Sequence, residues 1–493
     1  MIGEMKMKLC QMLEGVSYSQ IIGNKDIDIE MICYNSREAK NNGLFVAIDG
    51  FKVDGHAYVS NAIQGGCLAV LVEKDIEFFE GITVIQVEDS RKALAIITKN
   101  FYGKISDKIN IFGITGTKGK TTTAHFIKSI FNTSNNSAEY IGTTTDFTKY
   151  GVSKNTPTTP ESLEINKILS QIYNKKNNLI MEVTSHSLEL NRVYGIPFKM
   201  SVFTNLTEDH LDFHKNMENY FAAKAKLFLQ TTECAIVNYD DEYGKKLIDI
   251  CNKKGLRVIS FGFEKEADYY ADDIEIKKEY TKFKLIGDKL ECEIKLPLMG
   301  KFNILNALAA AAIGINNGIS IEDIKYGLEN IEQINGRVEK FKCSKGFDVI
   351  IDFAHTPDSL KKITEAAINA NYKRVVLVFG LGGERYKAKR PKMGEIAGKL
   401  ATKSILTEDN SRSESTLSIL KDIAVGIEKV NGKYEIIEDR DKAIKKAIFE
   451  AKDGDVILLL GKGHEKYQLK NGKKTFFDEH LLVKKYIEMV EEK

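Results

Sequence analysis

One stretch of the chain, KINIFGITGTKGKTTTAHFIKSIF from Lys108 to Phe131, constrains the fold more than any other. Its first part is a continuous apolar run, typical of a strand buried on both faces, and its last part has the character of a helix. Between them, a glycine turn would present backbone N–H groups to phosphates, where Lys120 adds a positive charge and the Thr121 hydroxyl can bind Mg²⁺. The stretch predicts a nucleotide-phosphate site at the end of a strand in an α/β domain.

The glycine spacing of this loop differs from the usual Walker A pattern. That pattern has a glycine five residues before the position of Gly119. This chain has Ile114 there, and its glycine lies one place earlier, at Gly113. A capped helix start in a threonine-rich turn is the structural alternative. The buried strand before the loop and the lysine inside it favour the phosphate site.

The alternation of strands and helices continues along the whole chain. Apolar runs typical of strands include GLFVAI, CLAVLV, ITVIQV, NLIMEVTS, MSVFTNL, CAIVNYD, FDVIIDFAH, RVVLVFGLGG, KSILTEDN and DVILLLGKGHE. Strands that alternate with helices predict parallel sheets with crossover helices, whose ligands bind beyond the carboxyl ends of the strands. A chain of 493 residues should form about three domains, which we place at residues 1–107, 108–335 and 336–493.

Composition narrows the classes of function. The net charge is only +2, so no nucleic-acid partner is expected. The seven cysteines are scattered without a C-x-x-C pair, which argues against a disulfide framework or a zinc knuckle and is typical of a reducing compartment. The start, MIGEMKMKLCQMLEG, lacks the apolar core of a signal peptide, and no apolar run reaches the roughly 18 residues of a membrane span. We therefore expect a cytoplasmic protein without membrane insertion.

Three further clusters carry polar side chains next to predicted strands or within helices. Glu182 follows a buried strand, and the residues alone leave a structural role and a ligand role equally open. His210 and His214 are four apart and would share one face of a helix, but no third ligand at metalloprotease spacing follows. Lys224, in YFAAKAKLF, has the pattern of an ordinary solvent-facing helix lysine.

Taken together, these segments resemble the Mur ligases, the ATP-dependent amino-acid ligases of peptidoglycan precursor synthesis. The phosphate loop of that family, G-x-T-G-T-x-G-K-T, agrees with GITGTKGKT, so the shifted glycine is the family's own spacing. Its other motifs follow in the family's order: EVTSHSLELNRV, TNLTEDHLDFH, YFAAK, GKFNILNALAA, NGRVEKF, DFAHTPDSL, GLGGERYKAKRP, EDNSRSE and GKGHEKYQ. NSREAKNNGLFVAIDGFKVDGH resembles the family's uridine-nucleotide module, so the resemblance covers essentially the whole chain.

The resemblance implies an α/β fold of three domains. These are an amino-terminal uridine-nucleotide-binding module, a central P-loop ATPase domain with a parallel sheet, and a Rossmann-like carboxy-terminal domain. The detailed match is to the members that add the third residue of the stem peptide. Folylpolyglutamate synthetase shares the core but lacks the EDNSR segment and the amino-terminal features. We expect a monomer.

The resemblance also implies residues for ATP and for Mg²⁺. ATP would contact Gly116, Thr117, Lys118, Gly119, Lys120, Thr121, Thr122, Asn303, Asn306, Arg337 and Asp352. Mg²⁺ would be bound by Thr121, Glu182, His210 and Lys224. Lys224 would first react with CO₂ to form N6-carboxylysine, which turns a cation into an anionic group with two oxygens, suited to a hard metal ion. The implied catalytic residues are Lys120, Lys224, Glu182 and His210.

Two further sets of residues would bind the substrates. The acceptor, UDP-N-acetylmuramoyl-L-alanyl-D-glutamate, would contact Ser36, Thr158, Thr159, Ser185 and Arg192. The incoming amino acid would contact Arg385, Asp409, Asn410, Arg412, Gly461 and Glu465. The implied reaction passes through an acyl phosphate of the acceptor, from which the amino group displaces phosphate.

The segment EDNSR carries the information on the amino acid. Family members that use meso-diaminopimelate have D-N-P-R here, and those that add L-lysine lack the arginine. A guanidinium pairs with a carboxylate in a bidentate manner, and diaminopimelate has one more carboxylate than lysine. Arg412 therefore predicts meso-diaminopimelate, with lanthionine and L-lysine as alternatives, and Glu465 would meet the distal ammonium. Ser411 replaces the motif's proline, which would loosen the loop.

The alternative from a different class is a P-loop switch or nucleotide-binding module without ligase activity. Such a protein would need neither the metal-binding set at Glu182, His210 and Lys224 nor the third domain.

Overall fold

Three sheets organise the chain in the computed structural model, which describes residues 6–50, 53–77, 79–134 and 136–492. The first five residues of the start segment, and Phe51 and Lys52 of the predicted uridine-nucleotide motif, lie outside the described residues. The main sheets occupy residues 20–86, 110–296 and 339–460. The domain boundaries near residues 107 and 335 remain our proposal.

The amino-terminal region contains a five-stranded sheet in the order β2-β7-β6-β5-β4. Its strands and helices, with a separate β1–β3 pair, are β1 (Met7–Lys8), α1 (Leu9–Met12), β2 (Gln20–Ile22), β3 (Asp28–Ile29), β4 (Met31–Cys33), β5 (Gly43–Val46), α2 (Val59–Gln64), β6 (Cys67–Val72), β7 (Thr83–Gln86) and α3 (Ser90–Phe101). Strands β4 to β7 run parallel, and β2 pairs with β7 in the antiparallel sense. Ser36 lies on a short 3₁₀ turn, Ser36–Glu38, after β4.

The central region is built on a nine-stranded sheet in the order β16-β15-β14-β13-β12-β11-β8-β10-β9. Its strands are β8 (Asn110–Thr115), β9 (Ala138–Ile141), β10 (Asn178–Glu182), β11 (Phe198–Phe203), β12 (Thr231–Asn238), β13 (Arg257–Gly262), β14 (Tyr269–Ile276), β15 (Thr281–Gly287) and β16 (Leu290–Leu296). Its helices are α4 (Lys120–Thr133), α5 (Ser162–Ile172), α6 (Ser185–Glu189), α7 (Leu211–His214), α8 (Met217–Leu229), α9 (Glu242–Lys254), α10 (Lys301–Asn316) and α11 (Ile321–Glu329).

Strand β8 is buried on both faces, as its continuous apolar run predicted. Phe112 packs in one core with Ile127 of α4, whereas Ile111 packs in the opposite core with Leu227 of α8. Each such side chain contributes roughly 1.5–3 kcal/mol to folding when fully buried. Helices on both faces of a parallel sheet therefore leave only the strand ends open to ligands.

The parallel sheet that we expected extends at one edge into antiparallel strands. Pairing is parallel from β9 across to β14, but β15 runs antiparallel to both β14 and β16. The chain passes from β15 to β16 through only two residues, 288 and 289. A turn of that length can join only antiparallel strands, because parallel neighbours need a long crossover.

The carboxy-terminal region has a six-stranded sheet in the order β17-β18-β22-β19-β20-β21. Its elements, with a separate hairpin of β23 and β24, are β17 (Glu339–Lys342), β18 (Asp348–Asp352), α12 (Pro357–Asn369), β19 (Arg374–Phe379), α13 (Lys389–Leu400), β20 (Lys403–Leu406), α14 (Thr416–Glu428), β21 (Tyr434–Ile436), α15 (Arg440–Phe449), β22 (Asp455–Leu460), β23 (Tyr467–Lys470), β24 (Lys473–Phe476) and α16 (Glu479–Glu491). All pairs except β17–β18 in this sheet are parallel.

Within the described part of the chain, no helix combines the length and the apolar character that a bilayer crossing requires.

Candidate active site

A cleft of about 1370 Å³ is lined by the carboxyl ends of strands from both the central and the carboxy-terminal sheets. It brings together every predicted site residue except Gly116, Asn303 and Ser36. Gly116 and Asn303 lie directly behind the lining. The Gly116 carbonyl accepts a hydrogen bond from Lys120, and Asn303 accepts one from Asn306. Ser36 belongs to the amino-terminal region, and the structure does not bring it to the cleft.

The phosphate loop links β8 to α4 and needs glycine at two positions. Gly116 and Gly119 have φ angles of +146° and +90°. A Cβ at Gly116 would lie 1.9 Å from Thr204 Oγ1, and one at Gly119 would lie 2.4 Å from Asn306 Oδ1. These glycines therefore permit both the backbone conformation and the close approach of neighbouring segments.

The end of the neighbouring strand β11 holds the loop in place. Thr204 Oγ1 donates a 2.6 Å hydrogen bond to the Lys118 carbonyl, and the Lys118 N–H donates to Asn205 Oδ1 at 3.0 Å. The Lys118 ammonium lies 3.2 Å from Asp209 Oδ2. Thr117 receives a 3.0 Å hydrogen bond from the Thr207 N–H. These contacts fix the loop to the segment that follows β11.

Lys120 begins α4 and points back into the loop. Its ammonium donates to the carbonyls of Gly116 and Thr117 at 2.8 and 3.1 Å. Burial lowers the pKa of Lys120 to about 8, although Glu182 opposes that shift. The next residues of the helix, Thr121 and Thr122, are buried and line the cleft. The loop thus directs a positive charge and hydroxyl groups at the place where the helix N-terminus attracts anions.

Lys224 contradicts the expectation of an exposed helix lysine. Its side chain is 1% exposed, and its amine donates a 2.8 Å hydrogen bond to the Gly116 carbonyl. The amine also lies 4.8 Å from the centre of the Tyr220 ring. Burial, followed by the charge of Lys120, lowers the pKa of Lys224 well below its usual range. A neutral amine is the form that can react with CO₂, so the environment suits the implied carbamate.

Glu182 is the last residue of β10 and is 1% exposed. Thr121 Oγ1 donates to its Oε2 at 3.0 Å, and the backbone N–H of Thr143 donates to its Oε1 at 2.9 Å. The Tyr140 hydroxyl also donates to Oε1. Oxygen donors of this kind fit Mg²⁺, which favours carboxylate and hydroxyl ligands together with phosphate oxygens. The described residues contain no cluster of three or more His, Cys, Asp or Glu in a metal-binding arrangement.

The two histidines do not share a helix face, because helix α7 begins only after His210. His210 has φ of +53° and is half-exposed, with its ring centre 5.0 Å from that of His186. His214 is buried, and its Nε2 lies 2.9 Å from Ser185 Oγ. Burial lowers the pKa of His214 to about 4. His210 therefore faces the cleft, whereas His214 supports Ser185.

Apart from Ser36, the residues predicted for the acceptor lie around the carboxyl end of β10. Thr159 Oγ1 donates to the Glu182 carbonyl at 2.8 Å, and Arg192 Nη1 donates to the Thr159 carbonyl at 3.1 Å. Thr158 lines the cleft beside them. Arg192 Nε also lies 2.9 Å from Glu161 Oε1.

Glu161 is a residue that the sequence did not single out. Arg91, in α3 of the amino-terminal region, donates a 2.7 Å hydrogen bond to the same Oε1 that faces Arg192. One carboxylate thus joins the amino-terminal region to a predicted acceptor residue. No spacing in the sequence indicates a pair whose members are 70 residues apart.

Five of the six residues predicted for the amino acid, all except Arg385, lie in the segments that follow β20 and β22. Asn410 Nδ2 donates to Glu465 Oε2 at 2.8 Å, and Asn410 Oδ1 accepts from the Leu469 N–H at 2.9 Å. The buried Lys462 ammonium lies 3.6 Å from Asp409 Oδ1. Burial, followed by the charge of Asp409, raises the pKa of Glu465. A cation placed beside Glu465 would offset both effects. Gly461, with φ of +110°, lies against Asp409.

Arg412 lies at the end of the same loop with φ of +54°. Its Nη1 donates to the Gly383 carbonyl at 2.7 Å, and its N–H donates to the Leu469 carbonyl at 3.0 Å. The loop that we expected Ser411 to loosen is therefore held by strand β23. Ser411 is buried, and its N–H donates to the Asp409 carbonyl at 2.9 Å, a bond that proline lacks.

Two arginines meet the central region across the cleft. Arg337 Nη2 lies 3.4 Å from Thr121 Oγ1 and stacks on Phe353 at 4.8 Å. Asp352 accepts hydrogen bonds from the Val338 and Ala354 N–H groups, both at 2.8 Å, and burial raises its pKa. The more exposed Arg385 lies 3.9 Å from Asp212 of α7. The carboxy-terminal region thus reaches the phosphate loop and the His210 segment.

Comparison with protein-family models gives three matches that follow one another along the chain. The model described as "Mur ligase family, catalytic domain" matches residues 28–102. "Mur ligase middle domain" matches residues 114–314, and "Mur ligase, glutamate ligase domain" matches residues 336–463.

Curated relatives match over nearly the full length. A protein of Clostridium acetobutylicum, named UDP-N-acetylmuramoyl-L-alanyl-D-glutamate--2,6-diaminopimelate ligase 1, is 42% identical over 485 residues, covering 98% of this chain and 99% of the relative. A protein of Caldanaerobacter subterraneus subsp. tengcongensis, with the same name but no number, is 43% identical over 483 residues, with coverages of 98% and 99%.

Solved structures show the same architecture. The structure of a UDP-N-acetylmuramoyl-L-alanyl-D-glutamate--2,6-diaminopimelate ligase has a TM-score of 0.70 at 26% identity and covers 98% of this chain and 99% of its own. MurF from Acinetobacter baumannii has a TM-score of 0.66 at 18% identity, with 99% of each chain covered, and shows the fold alone.

Proposed function

The chain belongs to the Mur ligase family of ATP-dependent ligases, and we propose that it joins meso-diaminopimelate to the D-glutamate of UDP-N-acetylmuramoyl-L-alanyl-D-glutamate. The observation that carries the proposal is a hydrogen-bonded group in which Asn410 links Arg412 to Glu465: its carbonyl accepts from Arg412 Nη1 at 3.3 Å, and its Nδ2 donates to Glu465 Oε2 at 2.8 Å. That group lines the same cleft as the phosphate loop. An acidic amino acid with a second ammonium would find both its charges matched there.

We propose that the phosphate loop holds ATP. Lys120, now bonded to the carbonyls of Gly116 and Thr117, would turn its charge to the phosphates, while Asn306 and Asn303 would lie towards the adenine. Mg²⁺ would be held by Thr121, Glu182, His210 and the Lys224 carbamate, where it would offset phosphate charge and polarise the γ-phosphoryl group. The carbamate forms when the neutral Lys224 amine adds to CO₂ and releases a proton.

Two chemical steps follow from this arrangement. In the first, the D-glutamate carboxylate, oriented by Arg192, Thr158 and Thr159, attacks the γ-phosphorus of ATP and releases ADP. In the second, the amino group of the diamino acid attacks the acyl carbon, an amide bond forms, and inorganic phosphate and a proton leave. Arg337, whose Nη2 lies 3.4 Å from Thr121 Oγ1, would offset charge on the transferred phosphoryl group. Closure of the carboxy-terminal region over the cleft would exclude water, which otherwise hydrolyses the acyl phosphate.

Selection of the amino acid would depend on two opposite charges. Arg412 would pair with the carboxylate that diaminopimelate has and lysine lacks, and Glu465 would accept the distal ammonium. The buried Lys462 keeps Asp409 paired, so that Asp409 does not compete for this ammonium. Arg385, across the cleft, would complete the contacts to the amino acid.

The test is a ligation assay with a panel of amino acids. We expect meso-diaminopimelate to exceed L-lysine by at least about 10²-fold in kcat/KM, because the unpaired Arg412 guanidinium would reject lysine. Lanthionine, which carries the same two charges, should be the next best substrate. Equal turnover of diaminopimelate and lysine would contradict the selectivity. Phosphate release from ATP that needs neither the nucleotide acceptor nor an amino acid would contradict ligation and favour a switch.

A further inference from the structure

A buried ion pair lies outside the residues that the proposed function uses. Arg440 is the first residue of α15 and Glu479 is the first residue of α16, and both side chains are 0% exposed. Arg440 Nε donates to Glu479 Oε1 at 2.5 Å. Burial of two charges has a large desolvation cost, so a pair of this kind is weak evidence for stability and invites another explanation.

The remaining donors of Arg440 explain what the pair holds together. Nη1 donates to the Glu408 carbonyl at 3.2 Å, and Nη2 donates to the Leu460 carbonyl at 2.9 Å. Glu408 immediately precedes Asp409, and Leu460 immediately precedes Gly461. Strands β20 and β22 are not neighbours, because β19 lies between them. One guanidinium thus joins the two loops of the amino-acid site directly, across an intervening strand.

Glu479 adds a third segment to this junction. It follows the β23–β24 hairpin, whose Leu469 bonds to both Asn410 and Arg412 through its backbone. Glu479 Oε2 is buried and accepts no hydrogen bond within the described residues, so Arg440 is the partner that compensates its charge. The Arg440 guanidinium therefore holds three segments together: the two loops of the amino-acid site and the segment that follows the hairpin.

We propose that Arg440, held by Glu479, is a positioning residue that sets the distance between Arg412 and Glu465 and hence the selectivity for the diamino acid. The planar guanidinium has donors in a fixed fork, which a lysine ammonium cannot reproduce. The inference rests on the proposed function, because it assumes that these loops bind the amino acid.

The test is steady-state kinetics of Arg440→Lys, which keeps the charge beside Glu479 but cannot reach both carbonyls. We expect the KM for meso-diaminopimelate to rise about tenfold, since a small displacement of binding groups has effects of this order or larger. The preference for meso-diaminopimelate over L-lysine should fall. The KM values for ATP and for the nucleotide acceptor should not change, because the phosphate loop lies across the cleft.

The matched control is Arg374→Lys. Arg374 forms a bidentate pair with Asp455, but at the opposite ends of strands β19 and β22, away from the cleft. The Arg374→Lys variant should be less stable than the wild type, but its KM for the amino acid should not change. If Arg440→Lys leaves the amino-acid KM unchanged, raises all three KM values equally, or behaves like the control, the inference is wrong.

A second variant covers the case in which Arg440→Lys does not fold. Arg440→Met combined with Glu479→Leu removes both buried charges together, which is better tolerated than removing one. Its thermal melting and ATP binding confirm the fold, and its amino-acid KM is interpreted in the same way. If the wild-type chain uses meso-diaminopimelate but the variants keep an unchanged KM for it, only the positioning role of Arg440 is contradicted. If the wild-type chain does not use meso-diaminopimelate, both the proposed function and the positioning role are overturned.

Discussion

The phosphate loop and the amino-acid loop lie on opposite sides of one cleft and are held in different ways. The phosphate loop takes its shape from its own glycines and from two residues at the end of the adjacent strand, Thr204 and Asn205. The amino-acid loop, residues 409–412, is bonded to Gly383, to Glu465, to the β23 strand and, through Glu408, to Arg440. The phosphate loop is thus held mainly by the one segment that follows the adjacent strand, whereas the amino-acid loop is held by several separate segments.

This difference predicts different consequences of mutation. The phosphate half of the cleft consists of the phosphate loop with Glu182 and Lys224. There, single residues at the reacting centre should control the rate, and their removal should abolish turnover. In the amino-acid half, substitutions should change which substrate binds, and by smaller factors. The predictions below test that contrast in order of expected effect.

The largest effect is expected for Lys224→Ala. Its buried amine lies 2.8 Å from the Gly116 carbonyl, so its loss removes the proposed carbamate ligand from the centre of the phosphate half. We expect kcat to fall by about 10³-fold or more, as when a group that stabilises charge in the transition state is removed. Ligation kinetics at saturating substrates measure it.

The control is Lys226→Ala, two residues along the same helix, where the side chain is 42% exposed and pairs only with Glu189 among the described residues. That variant should retain wild-type rates. Near-normal turnover of Lys224→Ala would show that the carbamate interpretation is wrong for this chain.

The second prediction concerns Arg412→Ala in the amino-acid half. Loss of the guanidinium should lower kcat/KM for meso-diaminopimelate by about 10²-fold and leave that for L-lysine nearly unchanged, so the preference narrows. Arg412→Lys should not restore it, because an ammonium cannot form the bidentate pair. Competition between the two amino acids in one assay measures the ratio.

Lys473→Ala, on the exposed turn side of the nearby hairpin, is the matched loss of a positive charge and should leave the ratio intact. If both variants changed the ratio of kcat/KM for the two amino acids equally, the preference would come from the overall positive charge around the hairpin and not from Arg412.

The third prediction uses Glu161, whose carboxylate lies between Arg91 and Arg192 and is 14% exposed. Glu161→Gln removes the charge that holds Arg192 towards the acceptor. We expect the KM for the nucleotide acceptor to rise about tenfold, an effect typical of a group that orients a binding residue. The amino-acid KM should not change. A rise in the amino-acid KM of the same size would contradict the separation of the two halves.

The same contrast explains what the sequence could predict. The strand, glycine turn and helix of residues 108–131 follow from local pattern, as do the strands that end at Glu182, Asp352 and Leu460. Burial of Lys224 does not, because it depends on the packing of α8 against the phosphate loop. The left-handed backbone conformation of His210 does not follow from the sequence either, because a single left-handed residue before a one-turn helix leaves no periodic pattern.

Long-range polar contacts escaped prediction for a related reason. Arg440 and Glu479 are 39 residues apart, and Arg91 and Glu161 are 70 apart, at positions that no motif or periodicity marks. Each pair forms only when separate elements dock. Resemblance to a family supplies the residues that we propose to touch ligands, whereas the residues that hold them in place are visible only in the folded chain.

The smallest expected effect is a pH dependence of stability that arises at His480, beside the Arg440–Glu479 pair that supports the amino-acid loop. His480 lies next to Glu479, with Nε2 2.7 Å from Glu339 and Nδ1 3.0 Å from Asp478. Burial acts to lower the pKa of His480, but the hydrogen bonds and charges of the two carboxylates outweigh it, and the net shift is upward. The folded state therefore binds the proton more tightly than the unfolded chain, in which histidine has a pKa near 6.5.

A raised pKa fixes the sign of this dependence. The stabilising contribution is complete below pH of about 6.5 and is lost as the pH rises through the higher pKa of the folded state. We expect the free energy of unfolding to be lower at pH 9 than at pH 6 on this account. Urea denaturation of the wild type and of His480→Gln at both pH values isolates it, because the variant should lack this part of the change. An equal loss in both proteins would place the dependence elsewhere in the chain.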